Sequence, residues 1–216
     1  MIVLYTGTPG SGKSLHAASD IRYALNKPRG EDQPVIANFE VNTTCVKRPD
    51  AFHYFPNEEL TPTLLTQFAD SFWSSTSRHF SEDYLLLVVD ECQIVFNSRN
   101  WMDRGRGKGD SRLDWLEFLS QHRKYGYKIV LIAQSAKMID NQFRMLCEYE
   151  INHRKVQHMG MVGSAVSKLF ANKLFMRVKY LFQTNERLGM QMSLAHKRDM
   201  VMYDTYAKLK QVNTTG

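Results

Sequence analysis

Gly7, Thr8, Pro9, Gly10, Ser11, Gly12, Lys13 and Ser14 stand between an apolar run, IVLYT, and a segment of helical periodicity, SLHAASDIRYAL. A strand, a glycine-rich turn and a helix N-terminus in immediate succession make an anion cradle and leave little freedom to the fold around it. The glycines let the backbone curl until successive N–H groups face one phosphate, which a Cβ would obstruct. Lys13 is expected to reach the β- and γ-phosphates of a nucleotide and the Ser14 hydroxyl to ligate Mg2+, while Leu15 carries the binding stretch into the helix.

The rest of the chain alternates apolar runs with amphipathic ones, the pattern of an α/β domain with a mainly parallel central sheet flanked by helices. The first strand is 2–6. The first helix runs over about 14–26, with Leu15, Ala18, Ile21, Ala24 and Leu25 as its apolar stripe, and KPRG ends it. VIANF is a short second strand. Residues 43–81 are the least regular, although LTPTLLTQFADSFW reads as a helix with Pro62 in its first turn. YLLLVVDE is nearly continuous hydrophobe, as a central strand covered on both faces requires. SRNWMDRGRGKGDSR reads as a surface loop leading into the helix RLDWLEFLSQHRKYG, whose core face is expected to carry Leu113, Leu116 and Leu119, widened by Trp115 and Phe118. KIVLIAQ then brings Gln134 to the edge that carries the phosphate loop, if the strands are parallel. A short helix over 139–146 and a strand in EYEINHRK follow.

From about residue 157 the text changes, with Met159, Met161, Met176, Met190, Met192, Met200 and Met202 among basic and aromatic residues. Filling irregular gaps in a core is the expected use of these methionines. The expected division is a P-loop NTPase core over 1–156 and a C-terminal extension over 157–216, packed on the core.

Composition narrows the function only at the margins. The net charge of +6 favours anionic partners such as nucleotide, nucleic acid or an anionic membrane face. Cys45, Cys92 and Cys147 lie far apart, which suggests neither a zinc site nor a disulfide framework, and a reducing compartment fits. His153 and His158 are spaced for packing or surface roles rather than for a metal. MIVLYTGTPG lacks the basic start of a secretory signal, and no run approaches the roughly 20 apolar residues of a membrane span, so a soluble chain is expected.

A phosphate loop binds nucleotide, but hydrolysis also needs an outer partner for Mg2+ and a group that polarises water. Asp90 and Glu91, closing an apolar strand, are the candidates: Asp90 for the metal, Glu91 as base or water-positioner. Gln134 can contact the γ-phosphate or the attacking water. For a transition-state arginine supplied to a neighbouring subunit, Arg123 is preferred over Arg99, Arg104 and Arg106, because it ends a helix rather than lying in a loop.

These residues resemble the zonula occludens toxin-like, or gene I morphogenesis, ATPases of filamentous phages. The resemblance covers most of the chain: the loop GTPGSGKS, then VIANFEVN, LLLVVDECQIVFNSRNW, FLSQHRKYGYKIVLIAQ with IDNQFR, and the late KRDMVMYDTYAK. It implies a P-loop NTPase of the additional-strand, catalytic-glutamate type that uses ATP and Mg2+. It further implies a ring-like homo-oligomer in the host cytoplasm, as the cytoplasmic domain of an inner-membrane protein. There it would drive assembly and extrusion of virions, with phage coat and other assembly proteins, and single-stranded DNA or its binding protein, as partners. Contact with the membrane is expected only through a segment absent from this chain, and toxin activity is associated in some members with that missing portion. A small-molecule kinase and a nucleotide-gated binding module remain alternatives, and no base-reading motif separates ATP from GTP.

Overall fold

The computed structural model describes residues 1–28, 33–96, 111–171 and 173–203. Eight strands form one sheet: β1 (Ile2–Thr6), β2 (Val35–Ala37), β3 (Phe52–Tyr54), β4 (Leu85–Val89), β5 (Tyr127–Ile132), β6 (Tyr149–Lys155), β7 (Leu174–Leu181) and β8 (Glu186–Leu194). Their order across the sheet is β3-β2-β4-β5-β1-β6-β7-β8. The pairings from β3 to β6 are parallel, and β7 and β8 join antiparallel beyond β6. The strand that ends in the phosphate loop, β1, therefore does not touch the strand that ends in the acids, β4. An additional strand, β5, lies between them.

Alternation of side chains explains why the central strands read as unbroken hydrophobe. Ile2, Leu4, Leu85, Leu87, Val89, Ile129 and Leu131 point into a core with Trp115, Phe118 and Phe143, under α2 (Pro62–Ser75), α3 (Arg112–Gln121) and α4 (Asn141–Met145). Val3, Tyr5, Leu86, Val88, Val130 and Ile132 point the other way, onto Ala17, Ala18 and Ile21 of α1 (Lys13–Leu25). Both faces are covered, so neither needs polar residues. Pro62 takes the first helical position of α2, where its missing N–H costs no bond, and Thr61 caps that end.

Three expectations change. The short edge strand β3 was hidden in the irregular stretch, because three half-exposed residues give no periodicity. On α3 the buried residues are Trp115, Phe118 and Leu119, whereas Leu113 is 73% exposed in the first turn, rotated away from the sheet. The late methionines divide: Met176 and Met202 are buried, but Met159, Met161, Met190, Met192 and Met200 are exposed. Met190 and Met192 are exposed because β8 is an edge strand whose residues Leu188, Met190, Met192 and Leu194 have no layer over them among the described residues.

After Lys155 the chain runs through α5 (Gly160–Leu169), adds β7 and β8 to the sheet, and turns back in α6 (Lys197–Met202). Met202 is fully buried in the α1-side core, its carbonyl accepts from the Asn42 N–H at 2.9 Å, and Asp199 forms an ion pair with Arg22. The last described residues thus lie against α1, the helix that the phosphate loop opens. No helix among the described residues is long and apolar enough to cross a membrane.

Candidate functional site

β1 ends at Thr6, and the loop that follows is built around backbone conformations that side chains disfavour. Gly7 (φ 141°) has no room for a Cβ, which would stand 2.4 Å from the His153 carbonyl oxygen; Gly12 (φ 98°) would put one 2.6 Å from the Phe175 ring. The Gly7 N–H donates to the Gln134 carbonyl at 3.3 Å, and the Ser11 N–H to the Thr8 carbonyl at 3.1 Å. α1 then starts at Lys13 with no side-chain cap and no acid in its first turn, so its own residues leave the positive end of the helix uncompensated. The Lys13 ammonium donates to the Gly7 and Thr8 carbonyls at 2.7 and 3.1 Å. Burial lowers its pKa, while Asp90 and Glu91 pull it back up, so lysine and acids share one electrostatic field.

The acids follow β4 directly. Asn38, just past β2, clamps the backbone there: the Asp90 N–H donates to its Oδ1 at 2.7 Å, and its Nδ2 donates to the Asp90 carbonyl at 2.8 Å and to Asn57 at 2.7 Å. The Asp90 carboxylate accepts from the Glu91 N–H at 2.8 Å and from the Tyr203 hydroxyl at 2.5 Å. Glu91 has φ 48°, a left-handed conformation that costs energy in a residue with a Cβ and recurs at functional sites. Its carboxylate accepts from the Gln93 side-chain amide.

Gly10, Gly12, Lys13, Ser14 and Leu15 line one wall of a cleft of about 350 Å3. The opposite wall comes from the late part of the chain: Lys155 at the end of β6, Lys173 and Phe175 at the start of β7, then Asp199, Met200 and Tyr203. The added lysines suit an anion. The Tyr203 hydroxyl, which lines this cleft with Ser14, donates to Asp90, and hydroxyl and carboxylate oxygens such as those of Ser14 and Asp90 fit Mg2+. The Ser11 hydroxyl is buried without a partner among the described residues, a further donor within the loop.

Behind the loop lies a buried polar cluster. His153 is 2% exposed, its Nδ1 lies 3.2 Å from the Thr6 carbonyl and its Nε2 lies 2.9 Å from Nδ1 of His16. His16 stacks on Tyr5 at 4.5 Å, and Tyr5 donates to Asp20 at 2.6 Å. Burial first, then nearby cations including Arg177, pushes His16 down to about 3; burial, then His16 itself, does the same to His153. Both rings are neutral packing groups at neutral pH.

The sheet brings Lys13, Ser14, Asp90, Glu91 and Gln134 to one edge, since β1, β4 and β5 are parallel and all end there. Gln134 is exposed and its backbone carbonyl is tied to Gly7. Arg123 is not brought to that edge. It precedes β5, at the other end of a six-residue strand, about 20 Å away at a strand's rise, and is paired with Glu148 at 2.9 Å. Arg99, Arg104 and Arg106 lie outside the described residues. Asn38, Lys155, Lys173 and Tyr203 were not legible as site residues in the sequence. Only Tyr203 had a signal, its place in KRDMVMYDTYAK.

Comparison with known proteins agrees with this architecture. The Gene 1 protein of Enterobacteria phage I2-2 is 35% identical over 181 residues, covering 80% of this chain and 46% of that protein. The Gene 1 protein of Salmonella phage IKe is 28% identical over the same shares. The chain thus spans about half the length of these curated relatives. Among solved structures, the N-terminal domain of zonular occludens toxin from Neisseria meningitidis superposes with a TM-score of 0.55 at 18% identity, over 94% of this chain and 98% of that one. B204, the DNA-packaging ATPase from Sulfolobus turreted icosahedral virus, does so at 0.50 and 14% identity, over 90% and 98%. The fold is that of a P-loop NTPase. The family pattern of Zonular occludens toxin (Zot) matches residues 1–208, and with that match, over a phosphate loop and acids set on one sheet edge, this chain belongs to the Zot family.

Proposed function

We propose that this chain is an ATP-hydrolysing motor domain that drives assembly and extrusion of filamentous phage through the host inner membrane. The observation that supports it most directly is the common edge of β1, β5 and β4, which gathers Lys13, Ser14, Gln134, Asp90 and Glu91 at one end of the sheet, with Lys13 and Ser14 lining the cleft. In this reading Gly7, Thr8, Gly10, Ser11, Gly12 and Leu15 cradle the phosphates through backbone N–H groups, Pro9 shapes the turn between them, and Lys13 exchanges the Gly7 and Thr8 carbonyls for phosphate oxygens. Ser14 and Asp90 would hold Mg2+, which when bound neutralises charge on the transferred phosphoryl group. Glu91, held by Gln93, orients the attacking water and takes up its proton, and Gln134 contacts the γ-phosphate side of the same water. Residues 1–156 act as the nucleotide-binding core and 157–216 as a C-terminal extension, whose described residues Lys173, Phe175, Asp199, Met200 and Tyr203 line the cleft.

A motor of this kind works as a ring-like homo-oligomer on the cytoplasmic side of the membrane, with coat and other assembly proteins, and single-stranded DNA or its binding protein, as the partners moved. The rest of the relatives' length leaves room for an anchor beyond these residues.

The test is Mg2+-dependent ATP turnover across protein concentration, with and without single-stranded DNA, for wild type and Lys13→Ala. The expected result is turnover that rises with concentration in the wild type and falls by about 10²–10³ in the variant, the cost of removing one preorganised cation. Tight ATP binding without turnover at any concentration would support the binding-module reading instead. Phosphate transfer to an added small molecule would support the kinase.

A further inference from the structure

The Tyr203 hydroxyl stands on Asp90, one of the two oxygen donors proposed for Mg2+. It donates to Asp90 Oδ2 at 2.5 Å, and Ser14 lines the same cleft as the phenol. Tyr203 also lines the phosphate cleft beside Lys13 and Ser14. The residue is held there from several sides. Met202, next in the chain, is fully buried against α1, and its carbonyl accepts from Asn42. Asp199, 5% exposed, pairs with Arg22, and the Tyr203 ring meets Phe39 edge-on at 5.0 Å.

A phenol O–H and a divalent cation cannot use the same Asp90 oxygen in the same way. The hydroxyl offers that oxygen a proton, and a cation at the same point repels it; both need the same lone pairs of Asp90. We infer that Tyr203 competes for the metal position: its hydroxyl holds Asp90 in the nucleotide-free protein, and Mg2+ enters with nucleotide by displacing it. The inference rests on the nucleotide reading above. Because α6 is pinned to α1 and ends just before Tyr203, the late part of the chain sets Mg2+ affinity separately from phosphate affinity. Lys13 and the loop backbone bind phosphate whether or not the hydroxyl has moved, whereas the metal cannot bind until it has.

The experiment measures binding of a non-hydrolysable ATP analogue by calorimetry, in Mg2+ and in EDTA, for wild type and Tyr203→Phe. Phenylalanine keeps the ring against Phe39 and removes only the hydroxyl, so the fold is retained. The expected result is that Tyr203→Phe tightens binding in Mg2+ by roughly tenfold, the scale of one charge-assisted hydrogen bond no longer lost on binding, and leaves binding in EDTA unchanged within about twofold. An equal effect in both conditions makes Tyr203 a packing residue and overturns the inference alone. Weaker binding in Mg2+ makes the hydroxyl a support of the metal and also overturns it. No binding by the wild type in EDTA or Mg2+ removes the nucleotide reading itself, and the inference with it.

Discussion

The same four strands, β1, β4, β5 and β6, have two ends, and the two ends treat charge differently. Where they begin, charges meet charges. The Met1 ammonium contacts Asp83 and lies 3.6 Å from Glu148 and 2.7 Å from the His122 ring, while Arg123 pairs with Glu148 at 2.9 Å. Where the strands end, the charges of the phosphate loop and of the acidic pair after β4 are held by neutral groups. Lys13 donates to backbone carbonyls, Asp90 accepts from a phenol and an amide N–H, and Glu91 accepts from the Gln93 amide. An ion pair has no use for a further ligand, whereas a carbonyl, phenol or amide can be exchanged for phosphate, metal or water at modest cost. Open α/β sheets bind ligands beyond the carboxyl ends of their strands, and in this chain that edge is also the one kept chemically replaceable.

The largest effect that can break this contrast is on Glu91. Glu91→Gln should lower ATP turnover by about 10²–10⁴, the usual contribution of a positioned base, while leaving the affinity for a non-hydrolysable analogue unchanged. Single-turnover kinetics beside equilibrium binding checks both halves; retained turnover would make the acidic edge a binding feature only.

Next in size is acid sensitivity behind the loop. His16 and His153 are held neutral, with pKa values near 3 against an unfolded 6.5, so the unfolded chain binds more protons as pH falls. Their stabilisation is complete above about pH 6.5 and is lost progressively from there toward about 3, on the order of 1–2 kcal/mol per histidine by pH 5. At the opposite edge burial raises the Glu148 pKa, but the Arg123 bond and the N-terminal ammonium outweigh it and hold the carboxyl low. Its contribution is present above the unfolded carboxylate range and lost only as pH falls through the lowered value. Thermal melts from pH 7 to pH 5 should therefore report the histidine pair together with His53 and His122, which burial also lowers, and His16→Gln should flatten the slope without abolishing it. An unchanged slope would move the acid sensitivity elsewhere.

The smallest effect belongs to Arg123. Its side chain is about half exposed, so Arg123→Ala should cost less than about 1 kcal/mol and leave turnover within about twofold at any one concentration. If the variant instead abolishes the rise of specific activity with concentration, the strand-start edge completes a neighbouring subunit's site, and the contrast between the edges fails across the ring.

Much of the fold could be read from residues that are close in sequence. β1, the loop and α1 were legible because strand, glycines and helix stripe are contiguous, and β4 and β5 because burial on both faces leaves an unbroken apolar run. Elements without a periodic signal were not legible. β3 is three residues at an edge, and β8 is exposed along most of its length, so its methionines could not be told from core residues by spacing. Leu113 fits the helical stripe by number, yet the rotation of α3 on the sheet leaves it outside. In the site, Asp90, Glu91 and Gln134 could be read because each closes an apolar strand. Asn38 could not, because its role depends on β2 lying beside β4.

The sequence by itself determined the phosphate loop. Gly7 through Ser14 need only their own backbone and the adjacent helix end to form an anion cradle, so spacing within eight residues carries the chemistry. Tertiary structure alone decided what faces that cradle. The Tyr203 hydroxyl meets Asp90 across 113 positions of chain, and Lys155 and Lys173 reach the cleft because β6 and β7 are stacked beyond β1. Strand order and the path of α6 back onto α1 are set by burial of apolar faces, which no local pattern encodes.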